Sequence, residues 1–281
     1  GRPKGTARIM KQNRALVVGF AFVAFSVLST LVGWLWTPYD PLEMNPDVSF
    51  ARPSMSHLLG TDVFGRDVLS NIMIGSRSTL VVALVSVLIG VVLGSVVGVA
   101  TALAPAKARR LSVFGIDIVL ALPSVLFAIV LAAVYGASTL TATIAIGIAL
   151  SAAIAQVTRR ETSQVLRSDY VAAAKVSGSG TGQIIRLHVL PNILPSLLVQ
   201  ASGAVAIAIL AESTLSYLGL GTTPPTPSWG RMLAESQKYL LVDPIVALWP
   251  GLVIVLTVLG FNLIGDGLRL SLDPTMKRDA K

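Results

Sequence analysis

The chain has 281 residues, of which 53% are apolar and 13% are charged, and its mean hydropathy is +0.76. Soluble domains carry about 25% charged residues, so this composition argues against a water-soluble globule, a disordered tail or a collagen-like fibre. The absence of Cys excludes disulfides, thiolate zinc sites, iron–sulfur clusters and a Cys nucleophile, and two His leave little for a His-based metal cage. The net charge of +8 could suggest a nucleic-acid partner, so the positions of the charges must decide.

Six apolar runs are long enough to cross a bilayer, which takes about 18 residues or more at about 1.5 Å per residue. They are 15–36, 80–103, 111–135, 140–157, 195–215 and 245–268, the third, fifth and sixth with one acid each. Only helices or closed barrels satisfy the backbone in lipid, and the runs lack the alternation of barrel strands. We therefore predict an all-α polytopic membrane protein with six transmembrane helices. The basic start of the first run would also fit a cleaved signal peptide, but its length and the missing A-x-A site favour an uncleaved anchor.

The distribution of Lys and Arg predicts the orientation. Seventeen of the 22 lie in segments 1–14, 104–110, 158–194 and 269–281, and five lie in segments 37–79 and 216–244. Because cytoplasmic segments carry the excess of basic residues, both termini are predicted to be cytoplasmic, and the charge requires no nucleic-acid partner. The predicted parts are a cytoplasmic N-terminal segment (1–14), a first transmembrane helix (15–36), an external subdomain (37–79), a core membrane domain (80–268) with a cytoplasmic loop (158–194) and an external loop (216–244), and a cytoplasmic tail (269–281).

Small residues and one proline indicate how the helices pack. Gly90, Gly94 and Gly98 form a double GxxxG on one helix face, which permits close approach of another helix. Pro123 predicts a kink or local opening in the third span. That opening either serves helix packing or shapes a substrate path at mid-membrane.

Three acids, Asp117, Glu212 and Asp266, lie inside the predicted spans, each near a helix end. Intramembrane carboxylates are costly and often functional. We expect interfacial or paired structural roles, with Asp266 facing Arg269 three residues later. A pore-lining role for Asp117 and Glu212 stays open.

The loop 158–194 carries the clearest local pattern. Its first part suits a helix through Lys175, and Gly178 follows where a C-terminal cap is expected. A second amphipathic stretch, 184–189, is predicted to end before Pro191, which gives a helix–turn–helix at the membrane surface. The glycine-rich run 178–183 fails G-x-G-x-x-G at its last position, and the chain lacks a G-x-x-x-x-G-K-[ST] motif, so we expect a flexible turn and no bound nucleotide.

This loop resembles the signature E-A-A-x3-G-x9-I-x-L-P of the membrane subunits of ABC importers. The residues of the expected ATPase-coupling loop are Tyr170, Ala172, Ala173, Ala174, Gly178, His188, Leu190 and Pro191. Ala172 stands where the signature has Glu. A charged contact with the ATPase subunit would therefore be missing here, whereas apolar docking of that subunit can remain. His188 replaces Ile, as in the peptide-transporter branch.

Three further stretches resemble the dipeptide/oligopeptide/nickel permease family, in the right order and over roughly residues 10–275. They lie at 57–67, at 212–230 and at 261–274. The long first outer loop resembles the C-type subunit of the permease pair. The residues expected in the external subdomain are Gly60, Asp62, Gly65, Arg66, Asp67 and Trp229.

The resemblance implies a type I ABC importer fold and a non-catalytic permease of a bacterial or archaeal cytoplasmic membrane. Its implied partners are a homologous B-type permease, two ABC ATPase subunits, an external solute-binding protein and membrane lipid. ATP and Mg would be bound by the ATPases, with no cofactor on this chain. Short peptides are the expected cargo, and nickel complexes, glutathione, haem or oligosaccharide are the alternatives.

Other classes fit less well. A membrane protease or transferase would need a nucleophile with a base, and His57 and His188 are predicted on opposite faces of the membrane. A channel or ion-coupled transporter would work without an ATPase. An ABC exporter would need helices that run far into the cytoplasm, and the loops here are too short.

Overall fold

The structure is a computed structural model that describes the backbone of residues 4–272 and the side chains of residues 15–271. This part of the chain is built from helices and contains no strand, which confirms the all-α prediction. The helices are α1 (Lys4–Leu35), α2 (Val68–Leu103), α3 (Ala106–Ala121), α4 (Ser124–Tyr135), α5 (Thr139–Val165), α6 (Asp169–Val176), α7 (Thr181–Ile184), α8 (Leu190–Tyr217), α9 (Trp229–Gln237) and α10 (Ile245–Leu272). A π-helix (Ile185–Val189) joins α7 to α8, and a 3₁₀ turn (Pro46–Val48) precedes α2.

In the described residues, five helical segments are long and apolar enough to cross a membrane, and the bent pair α3–α4 raises the number to six. This agrees with the predicted number of spans. The third span is not one helix, because α3 and α4 meet at 90°. Leu122 is extended there, and Pro123 has no N–H to continue the helix.

The second span begins earlier than expected. The α2 helix starts at Val68 instead of residue 80, because the Asp67 side chain caps it by accepting a 2.8 Å hydrogen bond from the Ser70 N–H. Its 36 residues extend about 54 Å, well beyond the roughly 30 Å of hydrocarbon. The first turns of α2 therefore belong to the segment predicted as the external subdomain.

Helices α2, α5 and α8 form the centre of the bundle, and α2 and α5 are in close contact. A Cβ added at Gly94 would lie 2.6 Å from the Ser151 carbonyl oxygen, and one at Gly98 would lie 2.6 Å from Thr158 Cβ. The Cβ of Leu150 would be 3.0 Å from one at Gly90. The structure thus places all three glycines at the helix contact, where larger side chains would separate α2 from α5.

The first helix is attached to the bundle through hydroxyl groups. The Ser26 and Thr257 hydroxyls are 2.6 Å apart, between α1 and α10. Thr30 donates a 2.9 Å hydrogen bond to Ser76 Oγ on α2. Such bonds help to fix helix positions in lipid, where apolar surfaces gain little from leaving the solvent.

Candidate functional site

The α6 helix has one face held in the protein and one face open. Val171 is fully buried and belongs to an apolar cluster with Ile184, Val189 and Ile193. The opposite face is exposed and includes Ala172 and Ala173, with Ala174 half-buried. The expected docking residues therefore lie on a surface that is fixed to the start of α8.

The turn after α6 leaves free space around its glycine. Gly178 has φ +84°, and a Cβ added there would meet no atom within 4 Å. Its N–H donates to the Lys175 carbonyl, and the Ser179 N–H donates to the Ala174 carbonyl at 3.0 Å. These two bonds form a Schellman motif, in which glycine takes the left-handed position. The predicted cap is thus present, and the turn projects into open space.

The second half of the loop differs from the prediction. The stretch expected to end before Pro191 continues without a break from Thr181 to Tyr217. The wider π-helix, in which the Leu190 N–H donates to the Ile185 carbonyl, lets the helix pass a proline whose ring would otherwise meet the preceding turn. The first half is also divided, because α5 ends at Val165 and α6 begins only at Asp169.

Contacts in the loop bring its two halves together. The rings of Tyr170 and His188 lie 5.7 Å apart, and both Leu190 and Pro191 are exposed. Sequence reasoning missed Val176, which is 92% exposed, and Leu187, which is 55% exposed. Their helical position relative to buried Val171 and Val189 was the signal that could have identified them as outward-facing.

The three residues proposed for a pathway lie in different environments. Asp117 and Pro123 are exposed on α3 and at the start of α4. Glu212 is 1% exposed and accepts hydrogen bonds from Ser216 at 2.7 Å and Thr222 at 3.3 Å. Glu212 therefore links α8 to the segment that follows it, and it does not line an open surface of this chain.

The expected pairing of Asp266 with Arg269 is absent. Both side chains are exposed, and no ion pair within 4.0 Å joins them in the part of the chain whose side chains are described.

The segment before α2, which is predicted to be external, is compact and relies on two glycines. Gly60 has φ +79°, and a Cβ there would lie 2.5 Å from the Ala51 carbonyl oxygen. Gly65 has φ +72°, and its added Cβ would overlap the carbonyl of Asn45. Side chains other than hydrogen would be strained and obstructed at both positions.

Arg66 joins this segment to α9. Its guanidinium contacts Asp62 at 2.6 Å and Glu235 at 2.6 Å, and it lies 4.8 Å from the centre of the Phe64 ring. Burial opposes the charge, but the hydrogen bonds and negative charges of Asp62 and Glu235 raise the pKa of Arg66 above its ordinary value. Arg231 also donates to Glu235, at 2.8 Å, so this carboxylate serves two arginines.

The carboxylate of Asp67 has two partners of its own. It accepts from the Ser70 hydroxyl at 2.8 Å and lies 3.0 Å from His57 Nδ1. The serine thus donates to the carboxylate and not to the imidazole, which is not the arrangement of an activated nucleophile. Within the described residues, no group of three or more His, Cys, Asp or Glu could hold a metal ion.

Trp229 is an interior residue and not an outer-surface residue. It is 1% exposed, and its indole N–H donates to the Ile72 carbonyl at 3.1 Å. A Cβ at Gly75 would lie 3.2 Å from its ring, so this glycine makes room for it on α2. Trp229 therefore holds α9 against α2.

The chain is similar to known membrane transport proteins. The family model described as "Binding-protein-dependent transport system inner membrane component" matches residues 86–278. The di/tripeptide transport system permease protein DppC of Pseudomonas aeruginosa is 39% identical over 95% of this chain and 90% of its own length. The dipeptide transport system permease protein DppC of Escherichia coli K12 is 38% identical, over 95% and 91%.

A solved structure of the MetNI methionine ABC transporter in inward-facing conformations has the same fold. It superimposes with a TM-score of 0.58 over 71% of this chain and 95% of that chain, at 19% identity. The family model covers more than half of the chain, and the permease relatives are similar over almost all of it. The chain therefore belongs to the inner membrane components of binding-protein-dependent transport systems, and within them to the dipeptide permease family.

Proposed function

We propose that this chain is the C-type permease of an ATP-driven importer and forms, with a homologous B-type permease, the membrane pathway for short peptides. The observation that carries the proposal is the similarity, over 95% of the chain, to permease proteins named for dipeptide and di/tripeptide transport. Nickel complexes, glutathione, haem and oligosaccharide are the alternative cargoes of the same architecture.

The proposed orientation follows from the charge count. It puts both termini and loop 158–194 in the cytoplasm of a bacterium or archaeon, and the segment before α2 outside. Trp34 and Trp36, 58% and 63% exposed, support an outer interface at the end of α1, since aromatic belts lie at headgroup level. Arg77 lies 4.0 Å from the Trp34 ring at that level.

In the proposed mechanism, two partner ATPases bind ATP and Mg²⁺, and one of them seats against the exposed face of α6 and the Gly178 turn. The catalytic steps of hydrolysis belong to those subunits. Because Val171 packs against Ile184, Val189 and Ile193, a displacement of α6 moves the start of α8 with it. The α8 helix is continuous with α7 and the π-helix, so the movement reaches the outer end of the bundle.

The exposed break between α3 and α4 is the proposed flexible part of the pathway, with Asp117 and Pro123 facing the partner permease or the cavity between the two. The solute-binding protein would deliver its cargo to the outer surface made by the segment before α2 and by α9. The ion pairs of Arg66 hold these two parts together for that contact.

The deciding experiment is ATP hydrolysis by the four-subunit complex in lipid nanodiscs, with the solute-binding protein either empty or loaded with dialanine. Stimulation only by the loaded binding protein would support a peptide importer. Stimulation by a nickel complex, glutathione, haem or an oligosaccharide instead of dialanine would replace the cargo and keep the importer. Failure of the chain to assemble with any ATPase would overturn the proposed coupling.

A further inference from the structure

We propose that four arginines at the cytoplasmic ends of α3 and α5 bind the headgroup of an anionic phospholipid in the inner leaflet. Arg109, Arg159, Arg160 and Arg167 line one concavity of about 540 Å³, together with Ser163 and Gln164. This arginine pocket has lining residues from α3 and from the end of α5 and the turn after it. The proposal rests on the orientation and on the α6 seat of the ATPase proposed above, and it does not depend on the transported substrate.

The arginine pocket is lined by four cations and by no acid. Among the residues with described side chains, none of its four arginines forms an ion pair within 4.0 Å. Arg66 and Arg231, by contrast, both pair with Glu235 on the other side of the protein. Four like charges around one concavity repel each other, and the repulsion grows beside a bilayer, where the effective dielectric constant falls. An anion in the pocket would relieve it.

The depth of the arginine pocket matches the headgroup region. Helix α3 packs on α5 through Ile116, in a cluster with Ala152 and Ala155. Arg109 precedes Ile116 by two turns, or about 10 Å along the helix. Leu111 is 72% exposed, so lipid-compatible apolar surface begins within one turn of Arg109. The pocket therefore lies at the edge of the hydrocarbon, where lipid phosphates are found.

The donor set suits a phosphate. Guanidinium groups bind phosphate oxygens through two parallel N–H bonds, and basic pockets between transmembrane helices on the cytoplasmic side recognise anionic headgroups. The Gln164 side chain can add an amide donor, whereas the Ser163 hydroxyl already donates to the Arg159 carbonyl at 2.8 Å. An ATPase subunit is the less favoured occupant of the pocket. Its expected seat is the exposed face of α6, which follows the pocket residues in the chain.

The test is native mass spectrometry of the purified permease–ATPase complex with added phosphatidylglycerol or phosphatidylcholine. We expect the wild-type complex to prefer phosphatidylglycerol, and the variant Arg109→Gln/Arg160→Gln to raise its Kd about thirtyfold. The matched control is Arg110→Gln/Arg269→Gln, which removes the same charge from the same end of the bundle outside the pocket. This control should leave the Kd unchanged.

Two further arms distinguish lipid binding from misfolding and from the binding of free phosphate. The variant Arg109→Lys/Arg160→Lys keeps the charge but lacks the two parallel N–H bonds, so its Kd for phosphatidylglycerol should lie between those of the wild type and the Gln variant. Retention of both ATPase subunits by the Gln variant would show that its weaker lipid binding is not misfolding. Inorganic phosphate at millimolar concentration should not displace the lipid, and displacement would assign the pocket to free phosphate. Equal binding by the Gln variant and the wild type, or loss of ATPase subunits with the lipid retained, would overturn the proposal.

Discussion

The segment between α5 and α8 and the segment between α1 and α2 are both predicted to lie outside the hydrocarbon, yet different contacts stabilise them. The α5–α8 segment is held by apolar packing around Val171 and leaves Val176 92% exposed. The segment before α2 is held by hydrogen bonds, by the ion pairs of Arg66 and by glycines in tight surroundings. The first leaves apolar surface for a partner, and the second satisfies its own polar groups.

Two glycines make the difference concrete. Gly178 and Gly65 share a positive φ, +84° and +72°. Around Gly178 there is open space, whereas the Asn45 backbone fills the space beside Gly65. The same backbone conformation therefore serves an exposed turn in one region and close chain contact in the other.

The largest expected effect is on the open turn. Gly178→Trp should abolish transport and ATPase association while leaving membrane insertion intact, because a large side chain would occupy the proposed seat. Transport assays and co-purification of the ATPase measure this. Gly136→Trp is the control, since Gly136 also has a positive φ, +87°, and open space. Normal transport by Gly178→Trp would contradict the coupling role.

Substitution of Gly65, which is surrounded by backbone atoms, should lower the stability of the protein. Gly65→Ala should lower the free energy of unfolding by about 2–4 kcal/mol, through left-handed strain and overlap with Asn45. Thermal unfolding of the purified complex and proteolysis within 37–67 measure it. Gly178→Ala carries the strain without the overlap and should cost only about 1–2 kcal/mol. Equal costs would remove the distinction between the two turns.

Substitution of Glu212, which links α8 to the segment after it, should have an intermediate effect on stability. Glu212→Ala leaves the buried Ser216 and Thr222 hydroxyls without their acceptor and should cost about 1–3 kcal/mol of stability. Glu212→Gln keeps an acceptor oxygen and should be close to wild type in both stability and transport. A stable Glu212→Gln variant with defective transport would instead give the carboxylate a pathway role.

The smallest expected effect concerns the bond between Arg66 and α9. A double-mutant cycle with Arg66→Met and Glu235→Gln should give a coupling energy of about 1 kcal/mol, which decreases with added salt. The pair is only partly screened, because the two side chains are 11% and 28% exposed. The coupling energy is obtained from the free energies of unfolding of the wild type, the two single variants and the double variant. A coupling energy near zero would mean that the ion pair does not help to hold the segment before α2 against α9.

Local patterns predicted several features because their causes are local. The cap at Gly178 follows from the need for a left-handed residue after a helix, and the break at Pro123 follows from its missing N–H. The continuous helix through Pro191 could not be predicted in this way, since it depends on a π-helix that changes the hydrogen-bond register. The early start of α2 was signalled by Asp67 as a cap, but hydropathy alone does not reveal it.

The sequence by itself determined the membrane class, the number of spans and the family, because insertion depends on the length of apolar runs and the family motifs lie at fixed positions along the chain. The tertiary structure decided which side chains are covered. It buried Trp229 and Glu212, set Gly94 against Ser151, joined Arg66 to Glu235 and gathered four arginines between α3 and α5. These contacts join residues far apart in the chain, so their geometry exists only after the helices have packed.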